Sequence, residues 1–154
     1  MDNQLEYDIT LVLAILSKTW SKETSYSPNE WSEENPALGQ CAISCILLKR
    51  IYPSLQIVRS KAYSKVDGKE VSPHYYLEDP TTKKILDPTG SQYTTPVVYL
   101  GGHTEISVDM EMLSIDDYLK LNLNTQGRYL KLMQNFIMKF KEVTGRDFEF
   151  PKSN

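Results

Sequence analysis

The sequence predicts an α+β protein in which helices and strands occupy separate stretches of the chain. Apolar residues recur at helical spacing near both ends, strand-like alternation occupies the middle, and turn-forming residues separate the segments. The resulting order of helix, loop, helix, strands and helices is typical of α+β folds. A length of 154 residues indicates a single domain over residues 1–154.

Two helices are predicted on either side of a polar loop. Residues 2–20 carry apolar side chains at helical spacing, and Asp2 is the expected N-cap. Residues 21–37 are polar and contain two prolines, so they predict a loop. The next helix is expected to begin close to Cys41 and to run to Ile51. Its apolar stretch is followed by basic residues, which favour the last turn through the helix dipole.

The middle of the chain predicts antiparallel strands. Turn-forming residues at 78–82 (EDPTT) separate two strand-like segments, and this arrangement predicts a hairpin. Residues 91–112 give a weaker pattern around Gly101 and Gly102. The predicted strands cover residues 55–63, 71–77, 83–86, 95–100 and 105–108.

Helices are predicted again in the C-terminal part. Ser114 precedes two acidic residues and predicts the cap of a short helix that ends near Leu119. Residues 124–143 carry an apolar stripe, and Gly145 is a usual stop. The basic residues on this helix, among them Arg128, are expected on a solvated face of a packed helix.

Charge and hydropathy exclude several classes of protein. A net charge of −3 gives no basic surface for nucleic acid. The apolar run at residues 9–16 is too short to span a membrane, and it follows acidic residues rather than the basic start of a signal peptide. We therefore expect a cytoplasmic protein without membrane contact. Cys41 and Cys45 are expected to be free thiols, because a disulfide at this spacing would be strained.

Cys41 is the candidate nucleophile. A thiol reacts as its thiolate, which is favoured at a helix N-terminus and beside an imidazolium. Cys41 lies where a buried helix is expected to begin. Gly39, two residues before it, would let a substrate carbonyl approach the backbone closely.

His74 and Asp87 are the candidate partners of this thiol. They stand at opposite ends of the predicted hairpin, which would fold them towards each other. Asp87 could then accept a hydrogen bond from one ring nitrogen while the other nitrogen faces Cys41. This is the nucleophile, base and orienting group of a catalytic triad.

Acyl transfer also needs donors for the oxyanion that develops on the substrate carbonyl. The backbone N–H of Cys41 is one donor, since the first amides of a helix have no internal partner. A side-chain amide upstream would be the second. Asn35 lies six residues before Cys41, far enough to loop back over the sulfur, whereas the adjacent Gln40 would more easily point sideways.

The strings around these residues resemble a known family. Trp31, Asn35-Pro36-Ala37, Gly39-Gln40-Cys41-Ala42, His74-Tyr75, Leu86-Asp87, Thr89 and Gln92-Tyr93 stand in an order that is similar to the YunG-like family. These are small bacterial proteins related to papain-like and transglutaminase-like cysteine enzymes. The resemblance covers about residues 28–95.

The resemblance implies a papain-like or transglutaminase-like fold, with the cysteine on a central helix packed on an antiparallel sheet. It implies Cys41 as nucleophile, His74 as base, Asp87 as orienting residue and Asn35 as oxyanion donor. The expected reaction is acyl transfer on a protein, peptide or other amide, as a hydrolase, deamidase or transamidase. It requires no cofactor and no metal.

Three alternatives remain open at the level of sequence. Cys41 could be a buried structural thiol, as we expect for Cys45. Cys41, Cys45, His74 and His103 could form a zinc site, although their spacing is unusual for one and a turn position is expected for His103. The chain could also be a non-catalytic binding or immunity-type protein on the same fold, a reading that the acidic residues 1–34 favour.

Overall fold

A computed structural model of the protein describes residues 7–152. The described part is an α+β fold of four α-helices and six strands. The helices are α1 (Ile9–Ser17), α2 (Cys41–Ile51), α3 (Ile115–Lys120) and α4 (Leu123–Thr144). The strands are β1 (Gln56–Ser64), β2 (Glu70–Glu78), β3 (Ile85–Leu86), β4 (Val97–His103), β5 (Glu105–Val108) and β6 (Glu111–Ser114).

The first helix is shorter than the pattern predicted. Its N-cap is Asp8, whose Oδ1 accepts hydrogen bonds from the backbone N–H groups of Thr10 (2.8 Å) and Leu11 (3.2 Å). The proposed cap Asp2 lies outside the described residues. The prediction that this helix continues to Trp20 is wrong, because the helix ends at Ser17 and the Trp20 indole instead donates to Ser44 Oγ of α2 at 2.9 Å.

Four strands form one antiparallel sheet in the order β3-β2-β1-β4, and β5 and β6 form a separate hairpin. The predicted hairpin of β2 and β3 is confirmed, but β3 contains only two residues. Lys83 has a left-handed backbone (φ 64°), and its N–H bonds to the carbonyl of Asp79 at 2.8 Å, so residue 83 belongs to the turn.

Helix α2 packs against β1 and β2 and supplies the centre of the core. Along β2, Leu77 joins this core, and His74, three residues earlier, is also fully buried. Other members of the core come from α1, α3 and α4. The fully buried large apolar side chains are Ile15, Leu16, Ile43, Leu47, Leu48, Leu77, Ile115, Leu132, Phe136 and Phe140.

Helix α4 confirms the helix predicted at residues 124–143. It ends at Thr144, and the C-cap Gly145 has the left-handed backbone (φ 73°) that favours glycine. The expectation of a solvated basic face is wrong for Arg128, which is only 8% exposed. No helix between residues 7 and 152 combines the length and the apolarity needed to cross a membrane.

Candidate active site

Cys41 is the first residue of α2, as the sequence predicted. The preceding residue, Gln40, is the N-cap, and its carbonyl accepts the N–H of Ser44 at 3.1 Å. The Gln40 side chain is fully buried: its Nε2 donates to the carbonyl of Ser21 (2.9 Å), and its Oε1 accepts from Thr24 Oγ1 (2.8 Å). These contacts hold the start of the helix from inside the protein. As at any helix start, the first backbone N–H groups of α2 have no intrahelical acceptor.

Gly39 brings two parts of the chain together. Its backbone is left-handed (φ 75°), and a Cβ added to it would lie 2.3 Å from Ser25 Oγ and 2.8 Å from the backbone N of Tyr26. The carbonyl of Gly39 accepts from that N–H at 2.9 Å. Residues 25–27 occupy the side of Gly39 where a Cβ would lie, but Gly39 also lines the groove at Cys41, so its role in the approach of a substrate carbonyl stays a prediction.

The imidazole of His74 and the carboxylate of Asp87 are in direct contact. His74 Nε2 lies 2.8 Å from Asp87 Oδ1. His74 lies on β2 opposite Ser60, whose Oγ donates to the His74 carbonyl at 3.1 Å, and Asp87 follows β3 directly. The two-residue pairing of β2 with β3 is enough to bring these two side chains together.

Tyrosines enclose this pair. Tyr99 of β4 stacks on the His74 ring at 4.5 Å between centroids, and its hydroxyl donates a short hydrogen bond to Asp87 Oδ2. Tyr93 meets the ring edge-on at 5.3 Å, and its hydroxyl lies 2.8 Å from Ser72 Oγ. His74 is fully buried as a result. Both carboxylate oxygens of Asp87 therefore have a partner.

Gly90 leaves space for the carboxylate of Asp87. A Cβ added to Gly90 would lie 2.8 Å from Asp87 Oδ2 and 3.2 Å from its Cγ. Gly90 begins the short 3₁₀ turn that ends at Gln92. Glycine at this position lets the turn pass close to the buried carboxylate.

The pKa of His74 is raised from 6.5 to about 9. Burial is the largest single effect and lowers the pKa, but the hydrogen bonds with Asp87 and Cys41 and the charges of both partners together outweigh it. The side chain of Cys41 therefore lies within interaction range of the imidazole. At neutral pH these surroundings favour an imidazolium between a thiol group and a carboxylate.

Cys45 has different surroundings from Cys41. Cys45 is completely buried in the core, whereas Cys41 is partly exposed in a groove. Burial, followed by the charges of Cys41 and Asp87, raises the pKa of Cys45 well above its usual range. Cys45 is a core thiol, as expected.

Gln92 approaches the imidazole on the ring nitrogen that Asp87 leaves free. Its Nε2 lies 3.2 Å from His74 Nδ1 and 3.3 Å from Thr89 Oγ1. Asn35, the expected oxyanion donor, instead uses its Nδ2 to donate to the backbone carbonyl of Gln92 at 3.0 Å. Gln92 lines the groove beside Cys41, and Asn35 is not among the lining residues. The oxyanion role of Asn35 stays a prediction, and Gln92 is a second candidate.

A groove of about 820 Å³ opens at Cys41. Its walls come from the loop before α2, from β1 and β2, from the turn around Gln92 and from helices α3 and α4. Three charged side chains line it: Arg59 of β1, Arg128 of α4 and the exposed Glu30. The space is large enough for a substrate of several residues or a comparable small molecule.

The four residues of the zinc alternative do not come together. Between residues 7 and 152 no group of three or more His, Cys, Asp or Glu side chains is arranged to hold a metal ion. His103 lies exposed at the end of β4, where its Nδ1 is 2.9 Å from the carbonyl of Glu105. The strand position of His103 differs from the turn that the sequence suggested.

Several residues of the site were missed at the level of sequence. Tyr99 lies in a stretch without clear periodicity, so no local signal identified it. Arg128 did carry a signal, because it continues the helical stripe of Leu132, Phe136 and Phe140 at spacings of four residues. A basic residue on the buried side of a helix is unusual, because burying an unpaired charge is unfavourable, and it therefore indicates a candidate functional residue.

Comparison with known proteins gives one family match. The model of a family described as YunG protein matches residues 8–136, a longer stretch than the resemblance in the sequence covered. No curated protein and no solved structure matches the chain.

Proposed function

The chain belongs to the YunG family, and from the geometry of its site we propose that it is a cysteine-dependent acyl-transfer enzyme. In this proposal Cys41 is the nucleophile, His74 the acid and base, and Asp87 the orienting residue. The observation that carries the proposal is the buried His74–Asp87 pair, with Cys41 at a helix N-terminus close enough to raise the pKa of the ring.

This arrangement supports formation of an acyl-enzyme. The Cys41 thiolate attacks the carbonyl carbon of an amide, and the π electrons of the carbonyl move to its oxygen. As the tetrahedral intermediate collapses, the C–N bond breaks and His74 gives its proton to the leaving amine. Water then attacks the thioester with His74 as base, which releases a carboxylic acid and the thiol. An amine in place of water gives a new amide instead.

The oxyanion would be stabilised by two donors. The backbone N–H of Cys41 is available because helix α2 begins there. We propose the Gln92 amide as the second donor, since it lies beside His74 Nδ1 and lines the groove. In this arrangement Asn35 positions Gln92 through the carbonyl of its turn.

We also propose that the fold is of the papain-like or transglutaminase-like type. A cysteine at the start of a helix packs beside an antiparallel sheet that supplies the histidine, and the carboxylate follows the next strand. The order cysteine, histidine, aspartate along the chain supports this assignment. Coordinates of a relative with a known reaction would test it by superposition.

The test of the function uses p-nitrophenyl acetate as an activated acyl donor. We expect a burst of nitrophenolate from the wild type, with the acetyl group found on Cys41 by peptide mass mapping. Cys41→Ala should show no burst, whereas the matched control Cys45→Ala should keep it. Adding glycinamide as an amine acceptor separates transamidation, which yields acetylglycinamide, from simple hydrolysis.

The same experiment distinguishes the binding alternative. An enzyme of the proposed kind acetylates Cys41 and then releases the acetyl group. Acetylation of surface lysines alone, at equal rates in the wild type and Cys41→Ala, would contradict the catalytic proposal. That result would favour a non-catalytic binding protein.

A further inference from the structure

We propose that the groove at Cys41 selects substrates that carry a carboxylate, which Arg59 and Arg128 bind while the thiol attacks a nearby carbonyl. This inference rests on the proposed function, because it assigns the substrate class of the same site. The argument begins from two guanidinium groups that lie in the groove without a carboxylate partner among the described residues.

Arg128 is a buried charge that is only partly satisfied. Its Nε donates to Asn124 Oδ1 at 2.9 Å, and its Nη1 donates to the backbone carbonyl of Thr24 at 3.1 Å. Its Nη2 has no acceptor within residues 7–152, although the side chain is only 8% exposed and lines the groove. Since Nη2 is not among the enclosed polar atoms that lack a partner, it is open to the groove, where an acceptor from outside the chain can reach it.

Arg128 also lies near the nucleophile. Burial lowers the pKa of Arg128, and the charge of Cys41 is the next largest effect and raises it. The guanidinium and the sulfur therefore share one electrostatic environment. A carboxylate bound at Arg128 would bring the rest of its molecule next to Cys41.

Arg59 extends the same positive surface. It lies half-buried on β1, and its guanidinium stands over the Tyr118 ring at 5.6 Å from the centroid. This aromatic contact leaves the charge of the guanidinium without a neutralising partner. Within the described lining, Glu30 is the one acidic residue, and it is exposed and forms no ion pair with either arginine. The groove is positive in a protein whose net charge is −3.

A carboxylate fits these two groups because guanidinium donors form paired hydrogen bonds with its two oxygens. The carboxylate could be an acidic side chain or a chain terminus of the substrate. Both sources present the same chemistry, and the test separates them.

The test compares alkylation of Cys41 by iodoacetate, which is anionic, with alkylation by iodoacetamide, which is neutral. The two reagents have similar size, so the ratio of their rates reports the charge around the sulfur and needs no substrate. We expect Arg128→Gln and Arg59→Gln each to lower the iodoacetate-to-iodoacetamide ratio, by about tenfold for Arg128→Gln. Arg128→Lys should keep most of the ratio, and the matched control Arg146→Gln, at an exposed site after α4, should not change it.

Protection experiments then identify the source of the carboxylate. N-acetylglutamate α-amide presents only a side-chain carboxylate, N-acetylglutamine presents only an α-carboxylate, and inorganic phosphate presents an anion of another class. Slower alkylation of the wild type with one of the first two compounds supports the proposal and names the source. Protection by phosphate that equals or exceeds both would overturn the carboxylate assignment.

The outcomes separate the two proposals. If iodoacetamide alkylates Cys41 rapidly but neither Arg59→Gln nor Arg128→Gln alters the ratio, the carboxylate site is wrong while the catalytic thiol stands. If Cys41 reacts slowly with both reagents, the proposed function itself fails. Circular dichroism checks folding. If Arg128→Gln does not fold, Arg59→Gln serves as the test variant, because the Arg59 side chain is half-buried and forms no hydrogen bond with any residue between 7 and 152.

Discussion

Cys41 and Cys45 lie one helical turn apart on α2, yet only Cys41 meets the requirements of a nucleophile. Cys41 has a groove in front of it, free helix amides around it and an imidazole beside it. Cys45 is enclosed by apolar side chains, and burial raises its pKa. We therefore expect Cys41 to be the reactive thiol, because its position at the end of a helix and its partners differ from those of Cys45 although the residue type is the same.

The largest expected difference is in alkylation by iodoacetamide at pH 6. Cys41 should react directly, whereas Cys45 should react only when the core opens. Their rates should therefore differ by about 10⁴-fold if opening costs about 5 kcal/mol. Peptide mapping of the time course measures both rates in one sample. Equal rates would show that the two thiols have the same surroundings.

Removing the imidazole should make Cys41 behave more like an ordinary thiol. We expect His74→Gln to slow acetylation of Cys41 by p-nitrophenyl acetate by about 10²–10³-fold, the usual range for loss of a general base. His103→Gln is the matched control, because it changes the other, exposed histidine. A similar loss of acetylation rate in both variants would mean that the effect does not come from the position of His74 beside Cys41.

Asp87→Asn tests how the Asp87 carboxylate affects the reactivity of the site and the pKa of His74. We expect the acetylation rate to fall by about 10–100-fold, as is typical when a partner that orients a functional group is lost. The pKa of His74, about 9 in the wild type, should fall because a hydrogen bond and a charge that raise it are removed. NMR titration of the ring, assigned with the help of His103→Gln, measures this pKa. An unchanged His74 titration would contradict the role of Asp87.

The same pair makes stability depend on pH with a defined sign. The folded pKa of His74, about 9, lies above the ordinary 6.5, so its stabilisation is complete below pH 6.5 and is lost as the pH rises through 9. We expect the wild type to lose up to about 3 kcal/mol of unfolding free energy across this window. Urea denaturation at pH 6 and pH 9.5 measures the loss. Asp87→Asn should lose less, and an equal loss would assign the effect to other groups.

The smallest expected effect separates Gln92 from Asn35. If Gln92 donates to the oxyanion, Gln92→Ala should slow acetylation by about tenfold or more, and Asn35→Ala should slow it less because it only loosens the turn. The wild type and both variants are compared with p-nitrophenyl acetate at one pH. A larger loss in Asn35→Ala would restore Asn35 as the donor.

The sequence predicts best where local chemistry determines structure. The start of α2 at Cys41 follows from the apolar run behind it, and the contact of His74 with Asp87 follows from a hairpin that a short turn closes. Asn35 shows the limit of such reasoning. Asn35 is close enough to Cys41 along the chain to contact the sulfur. Its side-chain amide instead donates a hydrogen bond to the backbone carbonyl of Gln92, which is remote in sequence.

The elements that escaped prediction depend on contacts between remote segments. Strand β4 pairs with β1 across more than thirty residues of chain, and the register shifts between Arg59 and Lys61. No local pattern encodes that pairing or the position of Tyr99 that follows from it. The cap at Asp8 was missed for a simpler reason, since Asp2 offered the same residue type earlier in the chain.

The phenol of Tyr99 has a consequence for how the protein is made. Tyr99 lies on β4, the edge strand opposite β3 in the sheet. Its phenol nevertheless contacts both the ring of His74 and the carboxylate of Asp87. A nascent polypeptide that has emerged from the ribosome only as far as residue 92 already holds every member of the proposed triad, but Tyr93 and Tyr99, which enclose the His74–Asp87 pair, are missing. The thiol should therefore gain its full reactivity late in synthesis, after β4 has joined the sheet.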